Sequence, residues 1–105
     1  MMFPVCVYSD SEAAFELRGT PDAVTRFVQK LKTEFEQAAT ATNAKATTES
    51  EKKEDGIGLM SFTLGFTTRA THGKLTVNTR PTSPAADAAG QRVYLLEATA
   101  TERAW

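Results

Sequence analysis

Only one stretch of this chain reads as a long amphipathic helix, and its start is signalled before its apolar stripe begins. In Gly19-Thr20-Pro21-Asp22-Ala23 the Thr20 hydroxyl can cap the free N–H groups of a first turn. Pro21 suits the first helical position, where it has no N–H to lose. Val24, Phe27, Val28, Leu31 and Phe35 then recur at spacings of three and four, which puts them on one helix face. The pattern predicts a helix from about Pro21 to about Ala39. Its outer face carries Asp22, Arg26, Lys30, Glu34 and Glu36, mixed in sign like a solvated surface. Asp22 and Arg26, four apart with the acid first, add about 0.2–0.5 kcal/mol.

Everything else with a pattern reads as strand. Phe3, Val5 and Val7 alternate with Cys6 and Tyr8, which predicts a strand over residues 3–9. Ser9-Asp10-Ser11-Glu12 reads as a polar turn, and Phe15, Leu17 and Gly19 then alternate with Glu16 and Arg18, completing a hairpin. After Ala39 the composition changes: residues 40–55 hold no large apolar side chain, so a flexible polar loop at about 40–56 is expected, closed by the turn signal Asp55-Gly56. Met60, Phe62, Leu64 and Phe66 then alternate with Ser61, Thr63, Gly65 and Thr67, the clearest period-two run in the chain. Leu59 and Ile57 fall on the other phase, which suggests a bulge near Gly58.

Ala70-Thr71-His72-Gly73 reads as the next turn, followed by Leu75, Val77 and Thr79 alternating with polar residues. Residues 81–90 form a loop, and a last strand from Arg92 to about Thr101 carries Tyr94, Leu96, Ala98 and Ala100 on one side and Val93, Leu95, Glu97 and Thr99 on the other. The order strand, strand, helix, three strands is that of an α+β fold, one helix on one face of a mainly antiparallel sheet of about five strands. With 105 residues, the chain is expected to form a single domain over 1–105.

Composition narrows the chemistry. Twelve basic against thirteen acidic residues leave a formal charge of -1, which disfavours nonspecific binding to nucleic acid through phosphate neutralisation. The single cysteine, Cys6, excludes an internal disulfide. Met1 to Tyr8 lack a basic leader and reach Ser9-Asp10 too early for a secretory signal. No stretch approaches the roughly 20 apolar residues that cross a bilayer, so a cytoplasmic protein without membrane contact is expected.

No catalytic constellation emerges. Cys6 and His72 are too few for a zinc site of the usual kind, and Glu49, Glu51, Glu54 and Asp55 intersperse with Lys52 and Lys53 as a solvated charge run. Cys6 sits in an apolar setting that raises a thiol pKa. Ser9, Asp10 and Ser11 are ordinary turn residues, and there is no G-x-S-x-G. Gly56-Ile57-Gly58 precedes a strand, not a helix, and Asp22 at the one helix N-terminus repels anions. No cofactor, metal or enzymatic activity is expected.

Dimensions supply the functional expectation. Five strands about 4.8 Å apart span roughly 19 Å between outer axes, whereas one helix is about 10 Å across. Part of the sheet must therefore be covered by something else, either a partner or, on a strongly curled sheet, the alanine-rich loop from Pro81 to Gly90. Apolar groups on both phases point the same way, with Tyr8, Val93 and Leu95 as the expected contact residues. The expectation is a protein-interaction module, either a homodimer or a subunit, regulator or inhibitor of a larger protein. By composition such a chain also suits the accessory proteins of phages and mobile elements. The alternative partner is nucleic acid, held by a basic hairpin bearing Arg69, His72, Lys74 and Arg80; against it, no aromatic residue alternates with these bases.

Overall fold

The computed structural model describes residues 8–54, 59–82 and 86–105. In chain order the elements are β1 (Tyr8–Gly19), α1 (Pro21–Ala41), β2 (Lys45–Glu54), β3 (Leu59–Thr67), β4 (Thr71–Pro81) and β5 (Arg92–Ala104). The strands form one five-stranded sheet in the order β1-β5-β4-β3-β2, with every neighbouring pair antiparallel. The α+β architecture read from the sequence is the one observed.

The helix begins as its sequence dictates. Thr20 is extended, its Oγ1 accepts the Ala23 N–H at 3.2 Å, and Pro21 opens the first turn. At the other end Asn43 adopts φ 60°, a left-handed conformation that Asn tolerates better than most residues. The Ala44 N–H then bonds the Ala39 carbonyl at 2.8 Å and the Asn43 N–H bonds the Thr40 carbonyl at 3.1 Å. This pair of bonds satisfies carbonyls the helix would otherwise leave open and turns the chain sharply into β2.

That turn has a topological result. α1 leaves β1 at one edge of the sheet and delivers the chain to β2 at the opposite edge. It packs on β3 and β2 and, to a lesser extent, on β1. Val28 of α1 joins Met60, Phe62, Leu64, Val77 and Leu96 of the sheet in one core, with Leu17, Leu31, Phe66, Leu75 and Ala98 packed around it. Each large side chain so buried stabilises the fold by roughly 1.5–3 kcal/mol. Thr79, also buried, donates its hydroxyl to the Met60 carbonyl at 2.8 Å and so is satisfied inside the sheet.

Four expectations need correction. Residues 45–54 are a strand, not a flexible loop: β2 pairs with β3 from Lys45 opposite Thr67 to Glu54 opposite Leu59, with a register shift between Thr48 and Ser50. A strand that buries no large apolar group leaves no periodicity to read, and its order comes from ladder hydrogen bonds to β3. Ser9-Asp10-Ser11-Glu12 is not a turn but the first half of β1, opposite Glu102 to Thr99 of a β5 that runs on to Ala104. Among the described residues the order is therefore one strand, the helix, then four strands; the expected strand at 3–9 and the bulge at Gly58 lie largely outside them.

The third correction concerns the β3–β4 turn, which falls at Thr68–Ala70. Thr68 Oγ1 accepts the Ala70 and Thr71 N–H groups at 3.1 and 2.9 Å, so His72 and Gly73 belong to β4. The fourth concerns the apolar stripe of α1. Val24 and Val28 are buried, but Phe27 is 44% and Phe35 36% exposed. The stripe is wider than the surface that the sheet offers it.

Candidate functional site

The two faces of the sheet differ in chemistry. On the face away from α1, Glu12, Glu16 and Arg18 of β1 stand beside Glu97 and Thr99 of β5, Lys74, Thr76, Asn78 and Arg80 of β4, and Ser61 and Thr63 of β3. Thr63 and Thr76 share a hydroxyl hydrogen bond at 3.2 Å, Lys74 pairs with Glu49 at 3.4 Å, and Arg80 pairs with Glu97 at 3.4 Å. This face satisfies itself and meets water.

Val93 and Leu95 lie on this same face, half-buried among polar neighbours, opposite Arg18 and Glu16 on one side, with Arg80 opposite Leu95 on the other. Tyr8 opens β1 opposite Arg103, and the eight residue steps from there to Glu16 span roughly 26 Å. The structure does not bring the three together.

The basic hairpin is likewise dispersed. Arg69 is exposed at the β3–β4 turn, while Lys74 and Arg80, about 20 Å apart along β4, each face a carboxylate. His72 stacks against Trp105 with ring centroids 4.2 Å apart. Trp105, 63% exposed, is held by its Nε1 donating to the Thr68 carbonyl at 2.9 Å and its backbone N–H donating to Ala70 at 3.1 Å. An exposed aromatic therefore does sit beside this hairpin, which the spacing of the strand residues did not reveal.

Uncovered apolar surface is concentrated elsewhere, on the helix side. Phe15 is 58% exposed on β1, across from the buried Leu96 of β5, and Phe27 and Phe35 project from α1. Beyond the reach of the helix the inward side chains shrink. Along β5 they pass from Tyr94 and Leu96 to Ala98 and Ala100, and along β1 from Leu17 and Phe15 to Ala13 and Ser11. Phe35, Ala38, Phe66, Leu75, Ala100 and Ser11 border an open groove of about 500 Å³ there. The described part of the β4–β5 loop does not cover it: Ala86 to Gln91 are exposed and fold around Asp87, whose Oδ1 accepts the Ala89 and Gln91 N–H groups at 2.9 Å each.

Electrostatic perturbation is slight. The Arg18 guanidinium, 2.8 Å from Asp87, holds that carboxyl below its ordinary 3.8, helped by the backbone N–H groups of Gln91 and Ala89. Burial lifts the Tyr94 phenol above its ordinary value, opposed by the Arg92 charge. Neither group borders the apolar groove. Among the described residues no three His, Cys, Asp or Glu side chains are placed to hold a metal ion, and no helix is long and apolar enough to cross a membrane.

Two exposed apolar residues that sequence reasoning did not single out are Phe15, placed in a half-buried alternation, and Phe27, placed on the apolar stripe of the helix. Their apolar character was legible; their exposure depends on where α1 crosses the sheet. No family model and no curated protein matches this chain.

Proposed function

We propose that this chain is a non-enzymatic protein-interaction module, a subunit, regulator or inhibitor, that binds through edge strand β1 and the apolar surface beside it. One observation carries the reading: Phe15, more than half exposed, sits mid-strand on β1, an edge of the sheet among the described residues. An edge strand offers a row of free backbone N–H and C=O groups that an incoming strand can complete, and apolar side chains beside the edge supply affinity. Phe35 of α1 and Ser11 of β1 border one apolar groove. A cytoplasmic setting goes with this reading.

The test is a photoreactive residue at position 15 in the native cell, with the same residue at position 52 on β2 as control. The reading expects protein adducts at 15 and few at 52. Absence of any adduct at 15, including one to the chain itself, would overturn it.

Nucleic acid is the second reading, favoured only by exposed Trp105 beside Arg69 and His72. It expects affinity to fall steeply with salt and to weaken in Arg80→Ala, whereas an apolar seam barely responds to salt.

A further inference from the structure

Resting on the reading of β1 as the binding edge, we infer that its occupant is a second copy of this chain, joined antiparallel about a twofold axis at Phe15. Such pairing would fuse two five-stranded sheets into one.

A twofold axis perpendicular to the sheet keeps both helices on one side, so residues of equal parity must face each other. Every register centred on a residue satisfies that condition, and three of them centred near the middle of β1 are compared. Centring on Ala13 sets Glu16 against Asp10 of the second copy, a like-charged pair formed twice. Centring on Ala14 sets Glu12 against Glu16, again twice, offset by Arg18 against Asp10, also twice. Centring on Phe15 sets Arg18 against Glu12, Glu16 against Ala14, and no like charges oppose. Opposed like charges destabilise a strand pair and opposite charges stabilise it, so the chain's own charges select the third register.

The helix side agrees with that choice. Phe15, uncovered in the isolated chain, would meet its own copy at the axis, an aromatic cross-strand pair. Leu17 would face Ala13 of the second copy, large against small, and Ser11 would face Gly19. Arg18 already donates from one guanidinium nitrogen to Asp87, and its remaining N–H groups stay available to Glu12 of the second copy. β2, the other edge, does not offer the same arrangement: Lys45, Glu49, Glu51, Lys52 and Lys53 crowd it and its register shifts mid-strand.

The experiment is the solution mass of the purified full chain by light scattering, up to about 100 μM, an upper bound for a specific small interface. A dimer at twice the 11.4 kDa chain mass is expected. Phe15→Glu, which sets two carboxylates at the axis, should weaken it roughly a hundredfold. Register is read by oxidation in a Cys6→Ser background: Ala14→Cys/Glu16→Cys should form a disulfide-linked dimer, and Ala14→Cys alone should not. As a check independent of both, Glu12→Arg and Arg18→Glu/Asp87→Asn should each be monomeric alone and form a heterodimer when mixed.

A strict monomer, a dimer indifferent to Phe15→Glu, or crosslinking by Ala14→Cys alone would each overturn the inference. A monomer that still gives adducts to another protein at position 15 would overturn the second copy as occupant and leave the interaction reading standing.

Discussion

The two edges of this sheet solve one physical problem in opposite ways. Among the described residues, β1 and β2 each have one strand neighbour and form the two edges of the sheet. β2 is crowded with lysine and glutamate, carries a register shift, and is tied to its surroundings by ion pairs, Glu51 to Lys32 of α1 at 3.1 Å and Glu49 to Lys74 of β4 at 3.4 Å. Charge and irregularity of this kind blunt an edge against association. β1 pairs with β5 without a register shift over its whole length, holds two adjacent alanines at its centre, and exposes Phe15. The helix explains the asymmetry in packing: it rests more on β3 and β2 than on β1. One edge carries charge and a register shift, and the other runs in register and exposes Phe15.

Phenylalanines on either side of that divide measure it most directly. Phe62, 1% exposed beneath the helix, should cost about 3–5 kcal/mol when changed to Ala, read as a shift in the urea midpoint. Gly73 lies between the two halves, where β4 runs against β5. A methyl group there would run into the Thr101 carbonyl oxygen, so Gly73→Ala should cost about 1–3 kcal/mol. Thr20→Ala removes the cap that sets the helix's starting point beside β1, an expected loss of about 1 kcal/mol visible in thermal unfolding.

Phe15→Ala should cost under about 0.5 kcal/mol in the isolated chain, because its side chain is mostly in water already. A loss as large as that of Phe62→Ala would show β1 to be covered and would erase the difference between the edges.

The smallest effect is a pH dependence at the exposed Arg18–Asp87 pair. The folded-state pKa of Asp87 is depressed, so its contribution is present above the ordinary value of 3.8 and is lost as pH falls through the folded value. Asp87→Asn should remove that part of the acid limb, and NMR titration should place the Asp87 midpoint below 3.8. A midpoint above it would show that Arg18 is not engaged there.

Legibility in the sequence followed burial. The cap at Thr20, the alternation Met60, Phe62, Leu64, Phe66, and the inward set Tyr94, Leu96 were readable because apolar side chains repeat at the period of their element. β2 was not readable, since Lys45–Glu54 buries no large apolar side chain and is ordered by the ladder to β3. Its threonines, which suit strands, were the only local hint. The stop at Asn43 was a signal that the composition of the following residues obscured. Of the candidate site, the width mismatch was legible and its location was not. Val93 and Leu95 lie on a polar face, and the uncovered apolar groups lie beside the helix.

Sequence alone determined that one amphipathic helix must cover an antiparallel sheet wider than itself, because side-chain periodicity and element widths are local properties of the chain. Which strands go uncovered was decided only in three dimensions. The helix runs from the β1 edge to the β2 edge, and its path over the sheet depends on how distant side chains pack. Exposure of Phe15, and with it any use of that edge, is a property of that packing rather than of the residues around it.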